Sequence, residues 1–410
     1  MKNALSFSVL FKWALMAAVF TAVVFPFFFV VPIILWTGLI IWGVSRGEVK
    51  FEWKLISSFF IGLYLLYLVG IVNTEFQEIG LKYLEYKMGL VLLPALFCFQ
   101  PKERIEWSAV VKSFIAAIGV AGILGLINLL KIGDLSISGV AKNFSYIHHP
   151  TYFSMFCLLA MELVRQNYLA NRKAAPMVKI GLYIALVLIQ LLCLSFAGVI
   201  VLMIYLGIIA LMWIWGWQNK VLKGIFTFGI PSAILIAFVA FPPLKSQLNE
   251  SLNPLKSYLR DPMSFVQEER EYFEGNTVRL IMWTATAEII LEHPIGIGTG
   301  DLDSELSKKL RKWNQPEEMI SKHYNPHNQF LQIGAEIGWL GMILFFSIFL
   351  VLVRAGRKKG NVPLLLLTLV VGFNCLFESI LQRQSGLVFF VLWTLILSYW
   401  SSLQKPLPEE

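Results

Sequence analysis

One histidine follows residues that typically begin a helix. The segment Tyr324-Asn325-Pro326-His327 leads into an apolar run that starts at Phe330. Asparagine is a favoured N-cap and proline suits the first helical position, so the pattern predicts that Asn325 caps a helix and His327 lies in its first turn. The positive end of a helix disfavours a second positive charge, which keeps an imidazole neutral and able to accept a proton. His327 is therefore the first candidate for a general base. A histidine that is merely hydrogen-bonded is the alternative.

An arginine opens a helix predicted in the polar stretch before His327. Apolar residues at helical spacing predict this helix over residues 277–291, and Pro294 ends it. Arg279 lies in its first turn, where a guanidinium could hold a phosphate through two hydrogen bonds. An arginine solvated on the polar face of the helix is the alternative.

A third candidate segment, residues 146–154, contains His149 and Tyr152 and leads into an apolar run. Its two adjacent histidines, His148 and His149, point in different directions, so no joint metal site is predicted. Histidine is the side chain best suited to proton transfer near neutral pH. All five histidines fall on the outer side of the membrane in the topology given below. This placement predicts that any chemistry takes place on the outer side.

Further ionisable residues lie beside apolar runs. Glu378 and Arg383 separate the last two runs, and Lys87 precedes the fourth. Ionisable residues near membrane depth are functional candidates, and simple pairing of Glu378 with Arg383 is the alternative. The segment Asp301-Leu302-Asp303 has the form of a metal-binding DxD motif. That motif works within a soluble nucleotide-binding domain, which the chain lacks, so we predict neither a metal nor a cofactor.

The composition is that of a membrane protein. The chain of 410 residues is 57% apolar and 15% charged, with a mean hydropathy of +0.68. Soluble domains contain roughly 25% charged residues. Apolar runs of about 20 residues recur, and such runs cross the hydrocarbon core as helices because the backbone must satisfy its own hydrogen bonds there. We predict an all-α polytopic membrane protein. Its net charge of +8 reflects basic loops rather than a nucleic-acid partner.

The apolar runs predict about twelve transmembrane helices. They are residues 8–25, 26–44, 55–73, 88–100, 109–130, 151–164, 177–195, 197–216, 223–242, 328–353, 362–379 and 385–402. With the N-terminus in the cytoplasm, the short inner loops carry thirteen Lys or Arg residues and the short outer loops carry five, as the positive-inside rule requires. Both termini are then predicted to be cytoplasmic.

One loop is much longer than the others. Residues 243–327 form a polar stretch that falls on the outer, periplasmic side and contains short predicted helices. Loops of this length are usually functional. The predicted organisation is thus nine spans in residues 1–242, a large periplasmic loop in 243–327, and three spans with a cytoplasmic tail in 328–410.

The chain resembles the O-antigen ligase family, which groups with O-antigen polymerases and certain bacterial protein oligosaccharyltransferases. The stretch 327–341 is similar to the family signature HN-x-x-L…G-x-x-G, through His327, Asn328, Leu331, Gly338 and Gly341. The stretch upstream is similar to an R…W…P…G-x-G segment, through Arg279, Trp283, Pro294, Gly296 and Gly298. Residues 149–152 and 378–384 are similar to the versions of these segments common in Bacteroidetes.

The resemblance implies glycosyl transfer in the bacterial inner membrane, without a metal or nucleotide, at a site facing the periplasm. The implied donor is a glycan on undecaprenyl diphosphate, and the implied acceptor is a lipid A–core hydroxyl. By position, His327 is the implied base and Arg279 the implied diphosphate contact. The implied supporting residues are Asn328, His149, Tyr152 and Glu378.

One position departs from the family pattern. The family often has a Ser-Arg pair near the middle of the chain, and its arginine is a second diphosphate contact. The matching residues here are Ser195 and Phe196. We hypothesise that Arg383 replaces the missing arginine, with Lys87 as the other candidate cation.

Three other functions remain open at this point. An O-antigen polymerase would share the donor but use a growing glycan as acceptor, and a protein O-oligosaccharyltransferase would use a protein. A secondary transporter is a function of another class. Transporters usually place broken, polar helices near the membrane midplane, whereas the candidates here gather at one surface.

Overall fold

A computed structural model describes residues 6–103, 105–166, 176–215, 253–268 and 275–400 and positions 224 and 229, with all side chains except those of residues 137, 138, 176, 196, 268 and 400. The described chain is mostly helical. Its labelled helices are α1 (Phe7–Val24), α2 (Val30–Ser45), α3 (Leu55–Gly70), α4 (Gln77–Lys87), α5 (Gly89–Phe97), α6 (Trp107–Ile132), α7 (Ile137–Asn143), α8 (Pro150–Arg165), α9 (Pro176–Leu192), α10 (Phe196–Trp215), α11 (Pro262–Glu268), α12 (Gly275–Glu292), α13 (Leu302–Lys312), α14 (Glu317–Ser321), α15 (Gln329–Lys359), α16 (Val362–Asn374) and α17 (Gln384–Trp400).

Short elements connect these helices. Single 3-10 turns lie at Pro26–Phe29, Ile71–Asn73 and Ile380–Gln382. Two strands of three residues, β1 (Val49–Phe51) and β2 (Phe99–Pro101), pair antiparallel with Lys50 opposite Gln100. The sequence did not predict this small sheet, which joins the chain before α3 to the chain after α5.

The helices confirm an all-α membrane protein. Among the described residues, six helical segments are long and apolar enough to cross a membrane, namely α1, α2 with its preceding 3-10 turn, α3 with its following 3-10 turn, α6, α10 and α15. Three shorter apolar helices, α9, α16 and α17, coincide with predicted spans. The predicted span 223–242 lies outside the described residues apart from positions 224 and 229. A total of about twelve spans therefore stays a prediction.

Two predicted spans are shorter than a bilayer in this structure. The run 88–100 forms only the nine residues of α5, which contains Pro94, so its helical length is roughly 14 Å. The run 151–164 forms α8, in which every side chain from Thr151 to Val164 is buried. A helix that is covered on all sides is a core element, surrounded by other helices rather than by lipid.

A break near the start of α15 shapes the site. Ile337 (φ −130°, ψ 18°) and Gly338 (φ +74°, ψ −173°) leave helical geometry inside this helix. A Cβ on Gly338 would lie 2.5 Å from the carbonyl carbon of Ile295, so only glycine fits here. The segment beginning at Pro294 therefore packs directly on the break.

The segment 294–298, which contains Gly296 and Gly298, also satisfies the backbone groups that the break leaves unpaired. Ile297 N–H donates to the Ala335 carbonyl (2.9 Å), and Gly298 N–H donates to the Glu336 carbonyl (3.1 Å). Trp339 N–H donates to the Pro294 carbonyl (3.0 Å). The two stretches that resemble family motifs are thus hydrogen-bonded to each other.

The polar stretch before α15 has a small core of its own. The helix predicted over residues 277–291 is confirmed as α12, and its buried face packs with α11, α13 and α14. Ala335 of α15 belongs to the same apolar cluster. This packing fixes the start of α12, and with it Arg279, relative to the start of α15.

Candidate active site

The turn before α15 holds His327 outside the helix. Asn328 is the N-cap, because its side-chain oxygen accepts hydrogen bonds from the N–H groups of Phe330 (2.9 Å) and Leu331 (3.1 Å). The prediction that Asn325 caps the helix and that His327 lies in its first turn is therefore wrong by three residues. The backbone explains the shift, since Asn328 is extended (φ −152°) and His327 is left-handed (φ +46°).

Local hydrogen bonds hold His327 in this rarely adopted conformation. The Asn325 side-chain oxygen accepts a hydrogen bond from the His327 N–H (2.8 Å). The side-chain amide of Asn328 donates to the Leu376 carbonyl (3.2 Å), which ties the start of α15 to the chain after α16. A left-handed non-glycine residue persists where its surroundings fix it, and such residues cluster at functional sites.

Glu378 brings the two main candidates together. Its Oε2 lies 3.4 Å from His327 Nδ1, and its Oε1 lies 3.6 Å from Arg279 Nη2. The Glu378 side chain is 15% exposed, whereas those of Arg279 and His327 are 33% and 28% exposed. One mostly buried carboxylate therefore connects the start of α12 to the turn before α15.

The surrounding charges keep Glu378 ionised. Burial alone raises the pKa of this carboxyl, but the hydrogen bond from His327 and the charge of Arg279, joined in acid by the charges of protonated His149 and His327, outweigh burial and lower the pKa below its ordinary value. Glu378 is therefore a carboxylate at neutral pH. A carboxylate at Nδ1 favours the tautomer of His327 that carries its proton on Nδ1, which leaves Nε2 as the proton acceptor.

His149 and Tyr152 adjoin this cluster from the start of α8. Their rings lie 5.4 Å apart, and Tyr152 is buried. His149 Nδ1 is buried and has no hydrogen-bond partner among the described residues. Burial lowers the pKa of His149, and the nearby charge of Glu378 opposes that shift. His149 is thus a neutral, incompletely paired imidazole at neutral pH.

Arg383 is an exposed cation near the same cluster. It follows the 3-10 turn Ile380–Gln382, and no carboxylate pairs with it among the described residues. Its charge helps to lower the pKa of His149, as that of Arg279 does, so both guanidinium groups act on one histidine. The alternative prediction, a simple pair of Glu378 with Arg383, is wrong, because Glu378 contacts Arg279 and His327 instead.

Lys87 lies behind the cluster and not on its exposed surface. Its side chain is 0% exposed, and its Nζ donates to Gln382 Oε1 (3.0 Å). The ammonium group also lies over the rings of Tyr67 (4.6 Å) and Tyr83 (5.1 Å). Gln382 in turn donates to Glu336 (3.0 Å), which is 1% exposed. Lys87 belongs to a buried polar network.

The part of the chain that contains Arg279 and His327 matches a known family. Residues 181–346 match the family model described as O-antigen ligase. These residues belong to the O-antigen ligase family. The matched region runs from α9 to the middle of α15, and Glu378 lies beyond it. No curated protein matches the chain.

The departure from the O-antigen ligase pattern lies at the start of α10. The Phe196 side chain is outside the described ones. Its neighbour Ser195 is buried, and its hydroxyl oxygen accepts a hydrogen bond from the Gly198 N–H (3.1 Å) and lies 3.3 Å from Thr151 Oγ1. Ser195 therefore serves the start of α10 as a cap and connects it to α8.

Two other sequence candidates have structural partners. His148 is buried, with Nε2 2.6 Å from the Val23 carbonyl oxygen and Nδ1 3.0 Å from Ser385 Oγ, and burial lowers its pKa to about 4. It joins the end of α1 to the start of α17. The Asp301 carboxylate accepts hydrogen bonds from the N–H groups of Glu75 (2.8 Å) and Phe76 (3.0 Å). Within the described ranges, no three His, Cys, Asp or Glu side chains form a group that could hold a metal.

Sequence reasoning missed the buried network. Gln332, Glu336 and Gln382 are polar residues within or beside apolar runs, and none was singled out. One signal was present, because Glu336 is the sole charged residue between positions 328 and 353. An acidic residue inside a predicted span is a functional candidate by default.

Proposed function

We propose that this chain transfers a glycan from undecaprenyl diphosphate to a hydroxyl of lipid A–core, as an O-antigen ligase does. The observation that supports this most is the contact of Glu378 with both His327 and Arg279. These are the residues to which the family resemblance assigns proton transfer and diphosphate binding. A single carboxylate thus brings the two halves of one reaction together.

The proposed step is a displacement at the anomeric carbon of the donor sugar. The acceptor hydroxyl oxygen forms a bond to that carbon, and the bond from the carbon to the diphosphate oxygen breaks. The hydroxyl proton passes to His327 Nε2, and the electron pair of the broken bond leaves with the lipid diphosphate. Glu378 orients the imidazole through Nδ1 and stabilises its positive charge once it is protonated, so Glu378 is a positioning residue.

Arginine side chains stabilise the charge that grows on the leaving diphosphate. Arg279 Nη2 faces Glu378 Oε1, and Nη1 donates a long hydrogen bond of 3.4 Å to Asn276 Oδ1. The remaining N–H groups of the guanidinium can therefore bind a phosphate. Arg383 is exposed near the same histidines. A guanidinium fork can bind a phosphate group through two parallel hydrogen bonds, so two arginines suit the two phosphates of the leaving group.

The lipid tail of the donor requires a site beside the bilayer. We propose about twelve spans, with both termini in the cytoplasm, spans 1–9 in residues 1–242, the periplasmic loop in 243–327, and spans 10–12 followed by the tail in 328–410. In this arrangement Arg279 comes from the loop, and His327 lies where the loop meets α15. A diphosphate at the periplasmic surface of the inner membrane would reach both.

Deleting the gene in the native host tests the acceptor. The expected result is lipid A–core without attached polymer, while polymer accumulates on the lipid carrier. Plasmid-borne wild-type protein should restore the ladder of bands on a lipopolysaccharide gel. Single repeats attached to lipid A–core would instead show a polymerase, and loss of glycoprotein staining with a normal ladder would show a protein O-oligosaccharyltransferase.

A further inference from the structure

Two opposite charges are buried next to the candidate site. Lys87 is 0% exposed and Glu336 is 1% exposed. Gln382 connects them, because its side-chain oxygen accepts from Lys87 Nζ (3.0 Å) and its amide nitrogen donates to Glu336 Oε1 and Oε2 (3.0 and 3.2 Å). Burying an ion is unfavourable unless it is paired and hydrogen-bonded, so each of these charges depends on the other.

Hydrogen bonds run from this pair to the turn of His327. Gln332 Nε2 donates to Glu336 Oε1 (2.6 Å). The Ser379 hydroxyl lies 3.4 Å from Gln332 Oε1 and 3.4 Å from Asn325 Oδ1, and it can donate to one of them at a time. Asn325 Oδ1 is the atom that accepts the His327 N–H.

The same network reaches the other elements of the site. Gln382 lies in the turn between Glu378 and Arg383, so its position determines where both side chains emerge. The Glu336 carbonyl accepts the Gly298 N–H beside the break in α15. Four separate segments therefore meet at one buried charge pair, namely the end of α4, the turn 378–383, the break, and the turn of His327.

We propose that the Lys87–Glu336 pair positions His327, Glu378 and Arg383 for glycan transfer, without itself touching the substrate. The inference rests on the proposed function. Its physical basis is that two buried ionisable groups, each hydrogen-bonded to the side chain of Gln382, have one satisfied arrangement, whereas loops at a membrane surface have many. Lys87 then takes the role of a positioning residue and not that of a diphosphate contact.

Isosteric variants test this proposal with purified full-length protein and lipid-linked glycan from the native host. Lys87→Met and Glu336→Gln should each lower kcat by roughly 100-fold, as expected when a catalytic group is displaced by about 1 Å. The KM for the donor should rise less than kcat falls, because Arg383 shifts with the pair whereas Arg279 lies on α12, outside this network. The double variant leaves neither charge without its partner. Its kcat should therefore be at least about tenfold higher than the product of the two single effects predicts, a coupling typical of interacting residues.

Three results would overturn the proposal. A raised donor KM with unchanged kcat in Lys87→Met would make Lys87 a diphosphate contact. A double variant as slow as the product of the single effects would show that the two charges act independently. An active Lys87→Met beside an inactive His327→Asn would refute this inference alone, whereas an active His327→Asn would refute the proposed function. If Lys87→Met does not fold, Glu336→Gln and the double variant decide.

A different observation concerns the far end of α15. A groove that is partly open to solvent lies between the start of α3, the last turns of α15 and the start of α16. Buried apolar side chains of Ile56, Leu352 and Leu364 form part of its lining. The cations that line it are Lys54, Arg354, Lys358 and Lys359.

The groove has an excess of positive charge. The carboxylate of Glu52 contacts Lys54 and lies 3.6 Å from Lys50 Nζ, and none of the residues that line the groove is acidic. Arg354 and Lys358 form no ion pair within the described part of the chain. Helix α3 also begins at the groove with no side-chain cap, and the positive end of its dipole adds to the positive charge there. Cations above an apolar lining complement a molecule with an anionic head and an apolar tail.

We infer that this groove binds an anionic phospholipid, with its headgroup at the cations and an acyl chain along the apolar lining. The test is titration of the purified chain, in neutral detergent, with phosphatidylglycerol and with phosphatidylcholine, followed by native mass spectrometry. The wild type should bind phosphatidylglycerol at least about tenfold more tightly, and R354Q/K358Q should lose that preference.

Arg357→Gln is the matched control, because Arg357 lies in the same last turn and does not line the groove. It should keep the preference for phosphatidylglycerol. Equal binding of the two lipids, or an equal loss in Arg357→Gln, would refute the site. Displacement of the lipid by equimolar inorganic phosphate would show that a free anion is the ligand and would refute the lipid as occupant.

Discussion

Replacing His327 by asparagine is expected to lower kcat for glycan transfer by roughly 10²- to 10⁴-fold, the usual contribution of a general base. Asparagine tolerates the left-handed backbone at φ +46°, so the turn should survive while the proton acceptor is lost. The measurement is the initial rate at saturating lipid-linked glycan, with the concentration of folded protein matched to wild type.

His323→Asn is the matched control for that experiment. His323 is also left-handed (φ +49°), but it is exposed and its Nδ1 lies 2.9 Å from Asp303 Oδ2, away from Glu378. Its replacement should leave kcat within about twofold of wild type, as for most surface changes away from a site. Equal losses in the two variants, or full activity of His327→Asn, would refute His327 as the base.

The second large effect is expected at Arg279. Arg279→Gln should lower kcat/KM by roughly 10²- to 10³-fold, as when one stabilising donor is removed from a transition state. Arg279→Lys separates two roles, because lysine keeps a charge near Glu378 but lacks the guanidinium fork. If the fork holds the diphosphate, Arg279→Lys should remain at least about tenfold impaired, whereas recovery would mean that only neutralisation of Glu378 matters.

The same assay decides whether Arg383 replaces the family arginine. Arg383→Gln should raise the KM for the donor, and its effect should add to that of Arg279→Gln. Arg311→Gln is the control, since Arg311 is exposed on α13 and pairs with Glu317 (2.7 Å). Wild-type rates for Arg383→Gln would refute the replacement and leave the position of Phe196 without a substitute.

Sequence patterning identified residues of the candidate site but not their geometry. Hydrophobic periodicity was sufficient for α12 and for the long apolar helices, because burial in lipid or against neighbouring helices depends on the pattern alone. The start of α15 was misplaced because both Asn325 and Asn328 are good caps. The choice between them depends on contacts with Leu376 and Cys375, which are distant in the sequence.

The partners of the candidate residues were the harder part. Glu378 and Arg383 are close in sequence, so pairing between them was the simplest expectation. Packing of α12 against α15 instead brings Arg279 to Glu378 across 99 positions of the sequence (378 minus 279). Lys87 resembled an exposed loop cation in sequence, and its burial beneath the turn 378–383 follows from long-range packing of α4, which no local pattern encodes.

Product stoichiometry with purified components tests the proposed glycan transfer. The chain, lipid-linked glycan and lipid A–core are incubated together, and glycosylated lipid A–core and free undecaprenyl diphosphate are both quantified by mass spectrometry. One undecaprenyl diphosphate should be released for each glycan attached, and His327→Asn should form neither product. Release of undecaprenyl diphosphate without attachment of the glycan to lipid A–core would contradict the proposed transfer. The absence of any reaction by purified wild-type protein, when the same protein restores the ladder in cells, would also contradict it.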